Sequence, residues 1–200
     1  MVATDKICFC PLKFLLFLLI LQWFLILGMK ILHTADWHLG ETFFGYEREE
    51  EHQYFLNRLL QIVGEQQPDA LLLSGNVFDN PFPSSAAEKL FYHFLQRATQ
   101  ENEGMQVVFT GGAQESPQRL DACSELFDGL GIKSRSIVKR DDAGRTDYEH
   151  LLIPISSRTN ADDKMVVLTV PYLREGKSAR KNLIEELTKA ARNKYGRECP

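Results

Sequence analysis

From Met29 onward the chain alternates short unbroken apolar runs with longer stretches of helical spacing, and this alternation constrains its fold more than any other feature. The runs are "MKILHTA", "DALLLSG" and "MQVVFTG". The second is apolar at successive positions, as a central parallel strand buried on both faces must be. Between and after them, Phe55, Leu56, Leu59, Leu60 and Val63 recur at helical spacing, which predicts a helix over Glu47 to Val63. Ser84 or Ser85, followed by Glu88, resembles a capping box opening a second helix that runs to about Thr99. Ser116 and Pro117 mark the start of a third, ending near Gly129 or Gly131. Three strand, loop, helix units in series imply right-handed crossovers and an α/β layered fold. After Gly131, "IKSRSIV", "YEHLLIPI" and "KMVVLTVPY" read as shorter strands of an antiparallel extension, and a last amphipathic helix is predicted near Ala179 to Lys194.

Composition sets the limits of function. With 200 residues, 44% hydrophobic and 25% charged, the chain can bury one sizeable core and reads as one domain or part of one. Residues 1 to 28 carry Lys6, Lys13 and Asp5, so of the 23 basic and 27 acidic residues 21 and 26 remain beyond them. An acidic body needs a local basic patch or a partner to hold nucleic acid. Cys8, Cys10, Cys123 and Cys199 form no CxxC pair and no regular framework, which suits a reducing compartment and buried or idle thiols.

The head, residues 1 to 28, differs from the domain read over 29 to 200. Phe14 to Leu27 is apolar except for Gln22 and is bracketed by Lys13 and Lys30. A helix between those lysines rises about 24 Å, short of the roughly 30 Å hydrocarbon core unless both snorkel. Three readings stand: an upstream extension of the reading frame ahead of Met29, a membrane anchor over 14 to 27, or a signal peptide. The first fits best, because "MKILHTADWHLG" enters a core strand without a linker and no small-residue cleavage site precedes it. Cytoplasmic location follows from it, membrane anchoring from the second.

In open α/β sheets, ligands collect at the carboxyl ends of the strands. "ADWHLG", "SGNVFDN" and "TGGAQES" all fall there. Asp36 and His38, two apart in a turn leaving a strand, can supply an oxygen and a nitrogen to a divalent ion such as Mn²⁺ or Zn²⁺. A turn aspartate beside a surface histidine would be spelled the same way, so the pair alone is a weak signal.

Taken together, "MKILHTADWHLG", "LLLSGNVFDN", "VVFTGGAQES" and the later "VPYLR" resemble the SbcD family, the nuclease subunit of the SbcC/SbcD complex and a branch of the calcineurin-like metallophosphoesterases. The resemblance runs from Met29 to about Pro200. It implies an incomplete calcineurin-like α/β sandwich, Mn²⁺ as the metal, and cutting of DNA ends as a 3′ to 5′ exonuclease and single-strand endonuclease. It also implies DNA and an SbcC-type ATPase as partners, and a homodimer. The family's first motif, Asp-x-His, stands as Asp36 and His38. Its second, Gly-Asp-x-x-Asp, reads Gly75, Asn76, Val77, Phe78, Asp79, so the carboxylate that bridges two metals in the family is an amide here. Its third, Gly-Asn-His-Asp, reads Gly112, Ala113, Gln114, Glu115. The metal-binding asparagine has become a methyl, and the catalytic histidine has become Gln114, which cannot give up a proton near neutral pH. The fourth and fifth motifs, with further metal-binding histidines, fall beyond Pro200, so a truncated domain is expected and docking to SbcC is doubtful.

Two-metal phosphodiester hydrolysis needs cations about 3.5 to 4 Å apart, a bridging anion to offset their repulsion, and a metal-bound hydroxide. Asn76 offers one neutral carbonyl and cannot neutralise a pair. Asp36, His38 and Asn76 are therefore expected to hold one ion weakly, with Asp79 orienting His38 or capping the loop before Pro81. A nuclease subunit with little or no turnover is the expectation; a noncatalytic DNA- or subunit-binding module and a decayed gene fragment are its rivals. Several other residues have plainer readings. His33 reads as a packed strand histidine, and His52 and His93 as surface or core residues of helices. "REEE", Arg48 to Glu51, reads as a solvated helix start. Phe43, Phe44 and Tyr46, with Arg48, can stack on a nucleic-acid strand or simply cover a sheet edge.

Overall fold

The computed structural model describes residues 22–26, 28–160 and 162–196. The chain order is β1 Gln22–Ile26, β2 Met29–Thr34, a small hairpin of β3 Thr42–Phe43 and β4 Tyr46–Glu47, α1 Glu49–Gln66, β5 Ala70–Ser74, α2 Ser85–Glu101 and β6 Gln106–Thr110. Then come α3 Pro117–Asp121, α4 Ser124–Asp128, β7 Ile132–Ser134, a 3-10 turn over Glu149–Leu151, β8 Leu152–Ser156, β9 Lys164–Leu168 and α5 Lys177–Tyr195. The main sheet has five strands in the order β1-β2-β5-β6-β7. β2, β5, β6 and β7 are mutually parallel, and β1 pairs antiparallel to β2 at the edge.

Strand periodicity divides the core into two faces. Leu32, Leu71, Leu73, Val107 and Phe109 pack against α1 and α2 through Leu56, Leu59, Leu60, Val63, Phe91, Phe94 and Leu95. The alternate residues Met29, Ile31, Ala70, Leu72 and Val108 face Ile153, Ile155, Met165 and Val167 of the antiparallel β8–β9 pair. Helices, sheet and smaller sheet thus form the layered α/β arrangement expected from the sequence. α5 closes the third layer, with Leu183 and Leu187 against Leu151 and Leu152.

Four details depart from the sequence expectations. "IKSRSIV" does not join the antiparallel extension: Ile132 pairs with Val107, so β7 is a fourth parallel strand of the main sheet. The helix expected from Pro117 to Gly129 is two short helices interrupted at Ala122 and Cys123. At the break, the Asp121 carboxylate accepts the backbone N–H groups of Ser136 and Ile137 at 3.0 Å and ties this turn to the segment after β7. Ser84, and not Ser85, caps α2, accepting from Ala87 N at 3.2 Å. Glu88 is therefore one position too late for a capping box and instead pairs with Arg119 at 2.7 Å. Finally, part of the apolar head, Gln22–Ile26, is an edge strand. The rest of the proposed anchor or signal stretch lies outside the described residues, among which no helix is long and apolar enough to cross a membrane.

Candidate functional site

The register Ile31 to Ala70 and Leu73 to Phe109 brings the ends of β2, β5 and β6 level, so the three motif-bearing loops leave the sheet side by side. The first loop is anchored between its two polar residues. Trp37 is buried edge-on against Phe55, Phe91 and Phe94, and its indole N–H donates to Thr34 Oγ1 at 3.0 Å. Burying the middle residue leaves Asp36 and His38 on the outside. Both take left-handed backbone conformations, φ 56° and 48°, as does Asn76 at 51° in the next loop. Aspartate, asparagine and histidine tolerate that region better than other non-glycine residues, and strain of this kind clusters at functional sites. The two loops are stitched by backbone hydrogen bonds from Asp36, His38 and Leu39 N–H to the carbonyls of Gly75, Asn76 and Val77, at 3.1, 3.0 and 2.9 Å.

Asp36, His38, Asn76 and Asp79 do converge. Asp79 Oδ1 lies 3.0 Å from His38 Nδ1, the orienting contact expected from the sequence. His38 Nε2 then points toward Asp36, 3.9 Å from its Oδ1. Asn76 lies across the mouth of this pair. Its Nδ2 donates to Asp36 Oδ1 at 2.7 Å, and its Oδ1 accepts the N–H groups of Ala113 and Gln114 at 3.0 and 3.4 Å. The amide cannot be turned round, because a carboxylate only accepts and a backbone N–H only donates. Gln114, at the position of the family histidine, is exposed and contributes its backbone N–H to this network. The contact is possible only because residue 112 is glycine: a Cβ there would lie 2.2 Å from Asn76 Oδ1.

Two further features complete the site, one of them Glu115 at the last position of the third motif. Glu115 is buried and directs Oε1 to the N–H groups of Gly112 at 2.8 Å and Val77 at 3.3 Å, clamping the second and third loops together. Burial holds its carboxyl above the usual range, against the opposing pull of those N–H donors, and its Oε2 has no partner. A cavity of about 450 Å³ also opens beside Asn76 and Gly112, between Leu72 and Val108 of the sheet and Val167, Tyr172 and Arg180. Tyr172 N–H reaches Gly111 O at 3.0 Å and brings the segment after β9 to the site's edge. The remaining histidines follow their plainer readings. His33 bonds Ser74 Oγ at 2.8 Å and burial lowers its pKa; His52 is buried and His93 is exposed. Arg48 pairs with Glu41 and Glu51, so its charge is already matched within the loop.

These donors do not fit a pair of cations. One oxygen of Asp36 is taken by an amide N–H and the Asn76 oxygen by two backbone donors, while Asp79 on His38 Nδ1 leaves Nε2 as the imidazole nitrogen able to ligate. Among the described residues no three His, Cys, Asp or Glu side chains gather around one point where an ion could sit. Zinc sites ordinarily take at least three protein ligands.

A family model described as Calcineurin-like phosphoesterase matches residues 29–186. The chain belongs to that family. Within it, the chain is 40% identical over 147 residues to the SbcD component of the SbcCD nuclease of Rhodobacter capsulatus, an alignment covering 74% of this chain and 36% of the relative. The corresponding Bacillus subtilis protein is 41% identical over 104 residues, 52% of this chain and 26% of the relative. That of Escherichia coli K12 is 39% identical over 99 residues, 50% and 24%. The chain therefore spans between about a quarter and just over a third of the length of the curated relatives it matches. Both the fold and the resemblance to the SbcD family expected from the sequence are borne out, and the family implies dependence on a divalent metal.

Proposed function

We propose that this chain is an SbcD-type nuclease domain whose centre has lost two-metal phosphodiester hydrolysis. The observation that carries the reading is the Asn76 amide bonded to Asp36 where the mechanism needs a shared anion. Ala113 and Gln114 compound the loss, since neither side chain can take up a proton or serve as an anionic ligand. What remains is Asp36 with His38 held by Asp79, a set that can contact a phosphate and would hold one ion such as Mn²⁺ too weakly to stabilise the fold. The relatives' names point to a nucleic-acid substrate and a second subunit of the complex; by the resemblance these are DNA and an SbcC-type ATPase, with a homodimer as the assembly and the cytoplasm as the setting.

The test is hydrolysis of bis-p-nitrophenyl phosphate and of labelled duplex DNA by the full chain with Mn²⁺. Turnover at background level, unchanged by Asp36→Ala, is the expected result. Turnover well above background that Asp36→Ala abolishes would sink the reading.

A noncatalytic DNA- or subunit-binding module is favoured by one observation. Phe44 and Tyr46 stand 87% and 77% exposed on the β3–β4 hairpin, where a base or an apolar partner can reach them. Salt-sensitive DNA binding without turnover, weakened by Phe44→Ala, is its signature.

A further inference from the structure

Loops rich in acceptors at the ends of parallel strands need positive charge or donors to hold them together. Here Asp36 brings a carboxylate from the first loop, while Ala113 and Gln114 bring two N–H donors from the third. The Asn76 side chain joins them, with the donor end on the carboxylate and the acceptor end on the amides. Its backbone is bound as well, its carbonyl accepting His38 N–H at 3.0 Å. Gly75 and Gly112 let the second and third loops approach until a Cβ on Gly75 would lie 2.9 Å from Gly112 Cα. The side chain thus sits on the shared boundary of all three loops.

We propose that the Asn76 carboxamide replaces a cation as the strut of this loop cluster, so that the strand-end loops assemble and stay assembled without any divalent metal. The inference rests on the proposed loss of the two-metal centre and deepens it: the amide makes the vacated charge pattern self-sufficient. Because the donor end faces Asp36, a carboxylate at the same position sets two negative charges at hydrogen-bond distance with nothing between them. Such a pair recreates a demand for a cation.

The experiment is thermal unfolding of the full chain in EDTA and in Mn²⁺, which reads assembly of the cluster independently of turnover. The parent midpoint should be the same in both, since a ligand that does not bind the folded state cannot raise it. Asn76→Asp keeps shape and tolerance of the left-handed backbone, and should lower the midpoint in EDTA by about 3 to 8 °C, with recovery in Mn²⁺. The double exchange Asp36→Asn with Asn76→Asp restores one amide and one carboxylate in reversed order, and should recover most of the loss in EDTA. This second variant decides the matter even if Asn76→Asp alone fails to fold. A Mn²⁺-dependent rise in the parent midpoint overturns the proposal, as does an Asn76→Asp midpoint in EDTA equal to the parent's, or a double exchange no more stable than Asn76→Asp. Mn²⁺-stimulated turnover with an unmoved parent midpoint counts against the proposed function and not against the strut.

Discussion

Trp37 and Phe94 meet edge to face, their ring centroids 4.9 Å apart and their planes at 83°. This contact fastens the Asp36-to-His38 turn to the helical layer, because the anchor residue lies between the two that face the site. Trp37→Ala removes an indole that also packs on Phe55 and Phe91. The expected cost is about 3 to 5 kcal/mol, from lost transfer energy and the cavity left behind. A urea denaturation midpoint close to the parent's would show that the turn is held by its backbone bonds alone.

Gly112 and Gly129 offer a controlled pair of glycine substitutions. A methyl at Gly112 would fall 2.2 Å from Asn76 Oδ1 and 2.4 Å from its backbone N. Gly112→Ala must push the second loop away, at a cost of about 1 to 3 kcal/mol or more. At Gly129 the backbone is already helical, φ −68°, and the nearest atom to an added Cβ is 3.7 Å away. Gly129→Ala should be stabilising by about 0.4 to 1 kcal/mol through the unfolded state. Equal effects from the two changes would contradict the close approach of the loops.

Glu115 predicts a pH dependence. Burial raises its folded pKa above the ordinary 4.5, so the folded state keeps a proton that the unfolded chain gives up. The stability this group contributes is complete below the unfolded value and is lost as pH rises through the folded value. Glu115→Gln keeps an acceptor for Gly112 and Val77 but does not titrate. Relative to the parent, the variant should gain stability from about pH 4 upward and level off above the folded pKa. Urea midpoints of both proteins at matched pH values measure the difference; one that shrinks as pH rises would show that the carboxylate is stabilised by its two N–H donors and not penalised.

Much of the architecture was legible because it is written in local pattern. Leu71 and Leu73 face the helices while Ala70 and Leu72 face β8 and β9, so a run that is apolar at every position had to be an inner strand. Leu56, Leu59, Leu60 and Val63 lined up on α1 as their spacing predicts. β7 escaped the reading: its three residues pair parallel to β6, and nothing so short states its neighbour. The interruption between α3 and α4 escaped it too, since Asp121 is drawn to backbone donors fifteen and sixteen residues away.

At the site, the sequence alone determined which groups are available. The charge of residue 76 and the missing imidazole at 114 are matters of residue type, and no fold can supply a carboxylate that is not encoded. Tertiary structure decided what stands in its place. The direction of the Asn76 amide follows from a carboxylate 40 residues before it and two N–H groups 37 and 38 residues after it. The burial of Glu115 likewise depends on two loops meeting. Residue type sets which hydrogen bonds and charges are available; only the packing of distant strand ends sets which of them are satisfied by one another.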